Sequence, residues 1–532
     1  MSGCGVILCE CNGALERRIS LQELSHFIHD TDPSLEVITG NNLCKRHELR
    51  LLMDSVNIRP VVIGACDKIR NKANFWQDVD VDDSSLCFTK VLNILSELSS
   101  DFSDAEISDR IKLLLASQIS KASTCGDISQ ENLKLCFSLS KTEITRRNLA
   151  TSLLPRYEVI PAILQDDCLG DSCKLCADIC PAGAIASSYN ALQIDKSSCT
   201  GCGACVNACP RGAISYPGYS TVELEREIEA LLSNRAELPY RIIAIFCQSC
   251  FDNDDTDIKN CPPSIFTIKV PSLSIVSPLL LLNAFNMGAD GIALIHDEEC
   301  CINKTPRQSL ANTINFVQQL LDRWGIDKNR IKCINKVDIE LNGNLRQFTN
   351  YVVASGHTQF KSAPGSMTFE GMYNLAAIIK EMDSKLRITN EDMLSGEDVP
   401  FEIVTIDSAR CTGCNVCAQN CPTGAISTRT SGDPPTFKLI FNHDKCIACN
   451  LCVNKCPEEC MKVSKALDFA RLSNVGETIF ENEFIHCRNC NKPYASKSMV
   501  DALKRKLEDS GVSDAEWTEY CPSCRVVIQQ KR

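Results

Sequence analysis

Sixteen cysteines of this chain fall into four copies of one spacing that ends in Cys-Pro. Cys199, Cys202, Cys205 and Cys209 follow CxxCxxCxxxCP, as do Cys411, Cys414, Cys417 and Cys421, and then Cys446, Cys449, Cys452 and Cys456. Cys168, Cys173, Cys176 and Cys180 differ only by two extra residues in the first gap. Three thiolates in one tight loop can cap three irons of a cubane, while the fourth Cys, led away by its proline, reaches the other cluster of a pair. The copies do come in pairs: Cys180 and Cys199 are 19 positions apart, Cys421 and Cys446 are 25 apart. Zinc and disulfides are the competing chemistries. Zinc prefers two CxxC hooks to a triple hook, and disulfide frameworks belong to small secreted domains.

A different pattern closes the sequence. Cys487-Arg488-Asn489-Cys490 and Cys521-Pro522-Ser523-Cys524 are two CxxC hooks with a charged helix expected from Ser496 to Ser510 between them. Two such hooks fit a closed tetrahedral zinc ribbon, which can supply the folding energy of so small a domain. A rubredoxin-like iron site uses similar hooks, but the glycines usual after them are here Asn491 and Arg525, which favours zinc.

Other cysteines lie where strands are expected to end. Val6-Ile7-Leu8 runs into Cys9-Glu10-Cys11-Asn12-Gly13, Leu35 to Ile38 is followed by Cys44, and Pro60 to Ala65 ends at Cys66. Helical patterns at Leu21 to Ile28 and Glu48 to Ser55 lie between, so a parallel sheet is the simplest arrangement, with the cysteines gathered beyond its carboxyl edge. A second set repeats the logic: Arg241 to Phe246 leads into Cys247-Gln248-Ser249-Cys250, and Phe266 to Val270 and Gly291 to Ile295 follow, the latter before Cys300 and Cys301. Between the sets, residues 76 to about 150 read as helical, with Val91 to Leu98 and Ile111 to Ile119 at helical spacing, and Val222 to Leu232 reads as an amphipathic connecting helix.

The sixteen-cysteine pattern resembles bacterial two-cluster ferredoxins. After the fourth Cys come Pro181-Ala182-Gly183-Ala184-Ile185, Pro210-Arg211-Gly212-Ala213-Ile214 and Pro422-Thr423-Gly424-Ala425-Ile426; the last copy departs with Pro457-Glu458-Glu459-Cys460. Pairing across each repeat then implies four [4Fe-4S] clusters. Their ligand sets are Cys168, Cys173, Cys176 and Cys209; Cys180, Cys199, Cys202 and Cys205; Cys411, Cys414, Cys417 and Cys456; and Cys421, Cys446, Cys449 and Cys452.

The first 75 residues resemble the amino-terminal domain of the flavin-bearing subunits of heterodisulfide reductase, which implies a fifth [4Fe-4S] cluster on Cys9, Cys11, Cys44 and Cys66. The alternative is a set of buried apolar cysteines. The family's glycine-rich flavin fingerprint GxGxxG is absent, which disfavours flavin chemistry within the chain. Residues 241 to about 335 resemble the delta subunit of methyl-viologen-reducing hydrogenase, through Phe246-Cys247-Gln248-Ser249-Cys250, Pro262-Pro263 and Ala284 to Gly291. That resemblance implies a [2Fe-2S] cluster on Cys247, Cys250 and one or both of Cys300 and Cys301, with Cys261 as an extra candidate. Ser272 and Asp297 stand where the family has cysteine-bearing turns, so a unit kept only for docking is the other reading.

The resulting expectation is an α/β and α+β multidomain chain of two small parallel α/β domains, two 2[4Fe-4S] ferredoxin modules and a C-terminal zinc ribbon. The expected boundaries are 1–75 (α/β), 76–155 (helical connector), 156–220 (ferredoxin), 238–340 (α/β), 341–400 (linker), 401–465 (ferredoxin) and 475–532 (ribbon). The 532 residues carry a net charge of -12 and no basic tract, which argues against nucleic acid. The amino terminus lacks the features of a secretion signal and no stretch is long enough to insert in a membrane, so a cytoplasmic chain is expected, whose 35 cysteines bind metal.

The pattern reads as a wire for electrons. By the two α/β resemblances the wire would join a formate dehydrogenase or hydrogenase to a heterodisulfide reductase-like acceptor, with the chain as a non-catalytic electron-transfer component. The alternatives are a disulfide or sulfur-compound reductase and a non-redox maturation scaffold.

Overall fold

The computed structural model describes residues 4–43, 61–65, 89–93, 103–124, 133–136, 156–188, 191–232, 238–247, 261–296, 304–335, 341–358, 375–388, 392–432, 436–472, 476–511 and 515–529, with residues 45, 48, 52 and 360 between them. The chain divides into two compact units, residues 1–168 with 176–371 and residues 169–175 with 372–532.

The first unit begins with β1 (Gly5–Cys9), an apolar run buried along its length. Next come α1 (Leu21–Thr31), β2 (Glu36–Gly40), β3 (Val61–Ala65), β4 (Thr89–Asn93) and α2 (Asp104–Thr124). The four strands are parallel in the order β2-β1-β3-β4. Ser20 starts α1 by accepting the Glu23 N–H at 3.3 Å. Alternate residues of β1 enter two cores, as the pleat requires: Val6 and Leu8 pack with Leu24, Ile28 and the Ile107, Ile111, Leu115 and Ile119 stripe of α2, and Ile7 and Cys9 with Leu43, Val61 and Ile63. The helix expected from Val91 is instead the strand β4. Its run of five residues is too short for periodicity to separate strand from helix, and pairing with β3 decides it.

The first ferredoxin module follows a small antiparallel pair, β5 (Leu133–Cys136) and β6 (Arg156–Val159). Its own elements are β7 (Ala162–Ile163), β8 (Ile185–Ser188), β9 (Ala191–Ile194), α3 (Ala204–Ala208) and β10 (Ile214–Ser215), with β8 paired to β9 and β10 to β7. Helix α4 (Thr221–Leu232) then leads to a second parallel sheet, and it is a core helix rather than a surface connector. Glu223 closes a capping box with Ser220, accepting the Ser220 N–H at 2.7 Å. Glu227 takes Lys121 Nζ of α2 at 2.6 Å with both side chains only 4% exposed. Glu225 accepts from Asn283 at 2.8 Å, and burial pushes its carboxyl up to about 7.

The second sheet comprises β11 (Ile242–Cys247), β12 (Ile265–Val270), β13 (Gly291–His296) and β14 (Ile331–Asn335), parallel in the order β12-β11-β13-β14. Helices α5 (Pro278–Asn286), α6 (Lys304–Arg323) and α7 (Leu341–Ala354) accompany it. Arg110 of α2 donates to the carbonyls of Pro263, at 2.9 Å, and Ile265, so one helix serves both sheets.

The second unit opens with α8 (Leu375–Leu386), β15 (Met393–Ser395) and β16 (Glu402–Ile406). The cysteine loops that follow carry the short helices α9 (Val416–Gln419) and α10 (Leu451–Asn454) on either side of a hairpin, β17 (Ile426–Ser431) and β18 (Thr436–Phe441). β19 (Met461–Asp468) pairs with both β15 and β16. The chain ends with β20 (Glu477–His486), β21 (Pro493–Ser496), α11 (Lys497–Asp509) and α12 (Pro522–Gln529). Because β20 pairs with β18, the hairpin and the C-terminal region share one antiparallel sheet, β17-β18-β20-β21. Phe437 packs edge-on against Phe480 and Phe484 to tie them together.

Candidate metal centres

All four cysteine loops share a backbone plan that their sequences only half reveal. Each has a left-handed residue between its first and second cysteines: Gly170, Gly201, Gly413 and Ala448 at φ 55, 66, 65 and 53. Each has another directly after the second cysteine, and here Lys174, Gly203, Asn415 and Asn450 adopt φ 57, 78, 67 and 59. A third follows the Cys-Pro turn at Gly183, Gly212, Gly424 and Glu459, with φ 59, 65, 64 and 48. Left-handed residues alternating with right-handed ones turn successive N–H groups inward, which makes a nest for negative charge. The sulfurs receive such donors: Gly201 N–H to Cys199 at 3.4 Å, Ala184 N–H to Cys180 at 3.3 Å and Ala213 N–H to Cys209 at 3.2 Å. Thiolate sulfurs ringed by backbone N–H groups suit an anionic iron–sulfur cluster, so the donor sets fit the group.

The fourth cysteine of one copy does sit with the first three of its partner. Cys180, Cys199, Cys202 and Cys205 line one cavity with Pro161, Ala184, Ile185 and Ile194. Burial, reinforced by the charges of Cys202, Cys199, Cys176 and Cys180, pushes Cys205 up to about 12. In the second unit Cys417 is pushed to about 12 by burial and by Cys411, Cys414 and Cys456, and Cys452 to about 12 by burial, Cys446, Cys449 and Cys421. Cys168, Cys176 and Cys209 share an apolar cluster with Ile163 and Ile214. Cys173 is half-buried at the end of the turn Gly170–Ser172. Such thiols hold their protons until a metal displaces them, which couples cluster assembly to proton release.

Each triple-hook loop is braced by a serine from outside its module. Ser272, just past β12, donates to the Cys202 carbonyl at 2.7 Å, and Tyr216, fully buried, donates to the Gly201 carbonyl at 2.6 Å. The approach is close enough that a Cβ on Gly203 would stand 3.0 Å from Ile275 and 3.3 Å from Tyr216. In the second unit Ser496 donates to the Thr412 carbonyl, and a Cβ on Gly413 would stand 3.0 Å from its Oγ. Neither brace was visible in the cysteine spacing.

At the strand ends the two sheets differ. Cys9 closes β1, and Cys11, Asn12 and Gly13 are three consecutive left-handed residues with φ 47, 55 and 75, pinned to the end of β2 by Asn12 N–H to Asn41 Oδ1 at 2.9 Å. A hydrogen bond from the Cys11 thiol and the backbone N–H groups of Leu43, Cys11 and Asn42 outweigh burial and hold Cys9 down at about 6. Cys44 and Cys66, expected beside them, lie outside the described residues, as do Cys250, Cys300 and Cys301. Cys247, at the end of β11, is buried and its thiol donates to the Pro271 carbonyl at 3.3 Å. The extra candidate Cys261 is buried and lies 3.8 Å from Asn342 Oδ1.

The C-terminal hooks converge. The sulfurs of Cys487, Cys490, Cys521 and Cys524 all lie within 4.8 Å of one another, with Cys490 and Cys521 3.8 Å apart. Four thiolates about 2.3 Å from a tetrahedral zinc stand about 3.8 Å from each other, so the set fits that ion. Asn491 adopts the left-handed φ of 56 that the glycine usual after a hook supplies. Burial raises Cys487, but N–H donors from Cys521, Cys490 and Asn489 outweigh it and leave the thiol at about 6. The helix expected between the hooks is α11, capped by Ser496.

Comparison with known families agrees with three of these regions. Residues 242–354 match the model for the methyl-viologen-reducing hydrogenase delta subunit, residues 192–215 a 4Fe-4S binding domain, and residues 410–460 a 4Fe-4S dicluster domain. No curated protein matches the chain. The chain is thus a mixed α/β multidomain protein with ferredoxin-type [4Fe-4S] domains and a hydrogenase-subunit-like domain, and these support an iron–sulfur electron-transfer role within a redox complex. Among the described residues no helix is long and apolar enough to cross a membrane.

Proposed function

We propose that this chain relays electrons one at a time between a formate dehydrogenase- or hydrogenase-type enzyme and a heterodisulfide reductase-like acceptor. The relay would run through four [4Fe-4S] clusters on the sixteen ferredoxin cysteines, divided into the four cross-paired sets given above. The observation that carries the reading is the repeated pairing of Cys180 with Cys199, Cys202 and Cys205, and of Cys456 with Cys411, Cys414 and Cys417. With four thiolates per cluster no iron keeps an open position for substrate, which is the condition of a carrier. The clusters supply one-electron chemistry. The chain positions them, excludes water from their sulfurs and donates backbone N–H groups that stabilise their negative charge.

The remaining parts are assigned by their fit. A fifth [4Fe-4S] cluster at Cys9, Cys11, Cys44 and Cys66 is supported by the left-handed turn and the lowered thiol of Cys9. The second sheet is a docking unit, because the hydroxyl of Ser272 is engaged by Cys202 and the Cys247 thiol by Pro271. Zinc at Cys487, Cys490, Cys521 and Cys524 holds the C-terminal ribbon. The domain boundaries expected from the sequence are kept, with β4 and α2 joined to the first α/β domain.

Elemental and flavin analysis of the complex that co-purifies with the tagged chain under anaerobic conditions tests the partner. Molybdenum, tungsten or nickel beside iron and zinc is the expected result; iron and zinc alone would contradict a formate dehydrogenase or hydrogenase partner. A second reading, reduction of a disulfide or sulfur compound, is favoured by the Cys9–Cys11 pair alone. Turnover by the purified chain with only a reduced dye as electron source would establish it, and the carrier reading expects none.

A further inference from the structure

The second ferredoxin module holds one more buried thiol than two cubanes need. Four residues after its final cysteine, each of the other three copies has a buried alanine, Ala184, Ala213 or Ala425, between 0% and 3% exposed. The last copy has Cys460 in that place, also 3% exposed. Its neighbour Glu459 takes the left-handed φ of 48 that glycine supplies in the other three, so the turn is preserved despite the changed sequence. The Cys460 backbone N–H donates to the Cys456 sulfur, the same role that Ala184 and Ala213 fill toward Cys180 and Cys209. What the substitution adds is a sulfur, 3.5 Å from Cys456 Sγ and hydrogen-bonded to Cys411 as well.

We propose that Cys460 is a reserve ligand of the cluster held by Cys411, Cys414, Cys417 and Cys456, able to take the iron over from Cys456. The exchange is electron-neutral: the Fe–S bond to Cys456 breaks, one to Cys460 forms, and the Cys460 proton passes to the released Cys456 thiolate. The two sulfurs are already nearer than two ligands of a tetrahedral thiolate site, which stand about 3.8 Å apart at metal–sulfur distances of about 2.3 Å. The exchange therefore requires a side-chain rotation and no new backbone path. This rests on the reading of the module as a two-cluster ferredoxin.

The test compares Cys456→Ala with Cys421→Ala in the full chain, since Cys421 holds the equivalent place in the other copy and has Ala425, not a thiol, four residues on. Iron and acid-labile sulfide per chain are measured after anaerobic purification, with the low-temperature EPR of the reduced chain. Cys421→Ala is expected to lose one cluster, about four irons. Cys456→Ala is expected to keep its iron with altered g values, and Cys456→Ala with Cys460→Ala to lose about four irons.

If Cys421→Ala and Cys456→Ala both lose a cluster, Cys460 is not a reserve ligand although the ferredoxin reading stands. If neither Cys421→Ala nor the Cys456, Cys460 double variant changes the iron content, the ferredoxin reading fails as well. Should Cys456→Ala not fold, Cys421→Ala combined with Ala425→Cys transplants the device. Recovery of the lost irons supports the assignment, and no recovery overturns it.

Discussion

In the first ferredoxin module Ser272 reaches in from a parallel α/β sheet to hold the Cys202 carbonyl; in the second, Ser496 reaches in from the C-terminal ribbon to hold the carbonyl of Thr412. The cysteine loops share their left-handed positions, and a glycine, Gly203 or Gly413, lets each brace approach. The supports differ in kind. The first rests on a unit held by buried side chains, including Lys121–Glu227 and Arg110. The second is continuous, through β18 and β20, with a four-thiol site. A cluster loop with little apolar content of its own thus borrows rigidity, from a hydrophobic core in one case and from a metal site in the other.

The difference predicts where each module breaks. Cys487→Ser or Cys521→Ser removes a zinc ligand, and metal binding in such sites supplies roughly 10 kcal/mol or more. Hydrogen exchange should rise across residues 476–529 and reach the β17–β18 hairpin, with residues 191–232 unchanged; protection that persists throughout would mean that the ribbon stands without metal. Glu227→Gln leaves Lys121 buried without its partner and should destabilise the first unit by ~3 kcal/mol, again read by exchange, without effect on residues 392–472.

The third prediction concerns pH in the second unit. His443 is buried, its Nδ1 lies 3.1 Å from the Glu402 carbonyl, and Nε2 accepts the Asp468 N–H at 3.0 Å, so the ring is neutral with its proton on Nδ1. Burial holds its pKa below 6.5, so the unfolded chain binds the extra proton first. Stability is full above pH 6.5 and falls as pH drops from there toward the folded value. Denaturation midpoints of the second unit should show this slope, and His443→Gln should flatten it; an unchanged slope in the variant would assign it elsewhere. The smallest effects are those of the braces. Ser272→Ala and Ser496→Ala should each cost about 1 kcal/mol, confined to its own module. Equal costs would support equivalence, and a cost in one module alone would break it.

Cysteine spacing made the modules legible because ligand geometry tolerates few alternatives. The CxxC hooks likewise foretold four sulfurs that meet. Residues whose role depends on distant packing were not legible. Lys174, Asn415 and Asn450 take left-handed backbone that the loop imposes, although only asparagine has a local preference for it. The glutamates of α4 suggested an amphipathic connector, yet Glu223, Glu225 and Glu227 are buried because Ser220, Asn283 and Lys121 meet them. β4 escaped because five residues carry no usable period, and Ser272, which stands in the place of a family cysteine, is a brace.

The central claim is that the sixteen ferredoxin cysteines hold a chain of reducible clusters. Iron and sulfide analysis of the anaerobically purified full chain, followed by stepwise reduction monitored by EPR, tests it most directly. The account predicts about sixteen or more irons per chain and at least four [4Fe-4S] signals that appear on reduction. A chain with zinc at its C-terminus but fewer than about eight irons, or with clusters that no reductant populates, would contradict it.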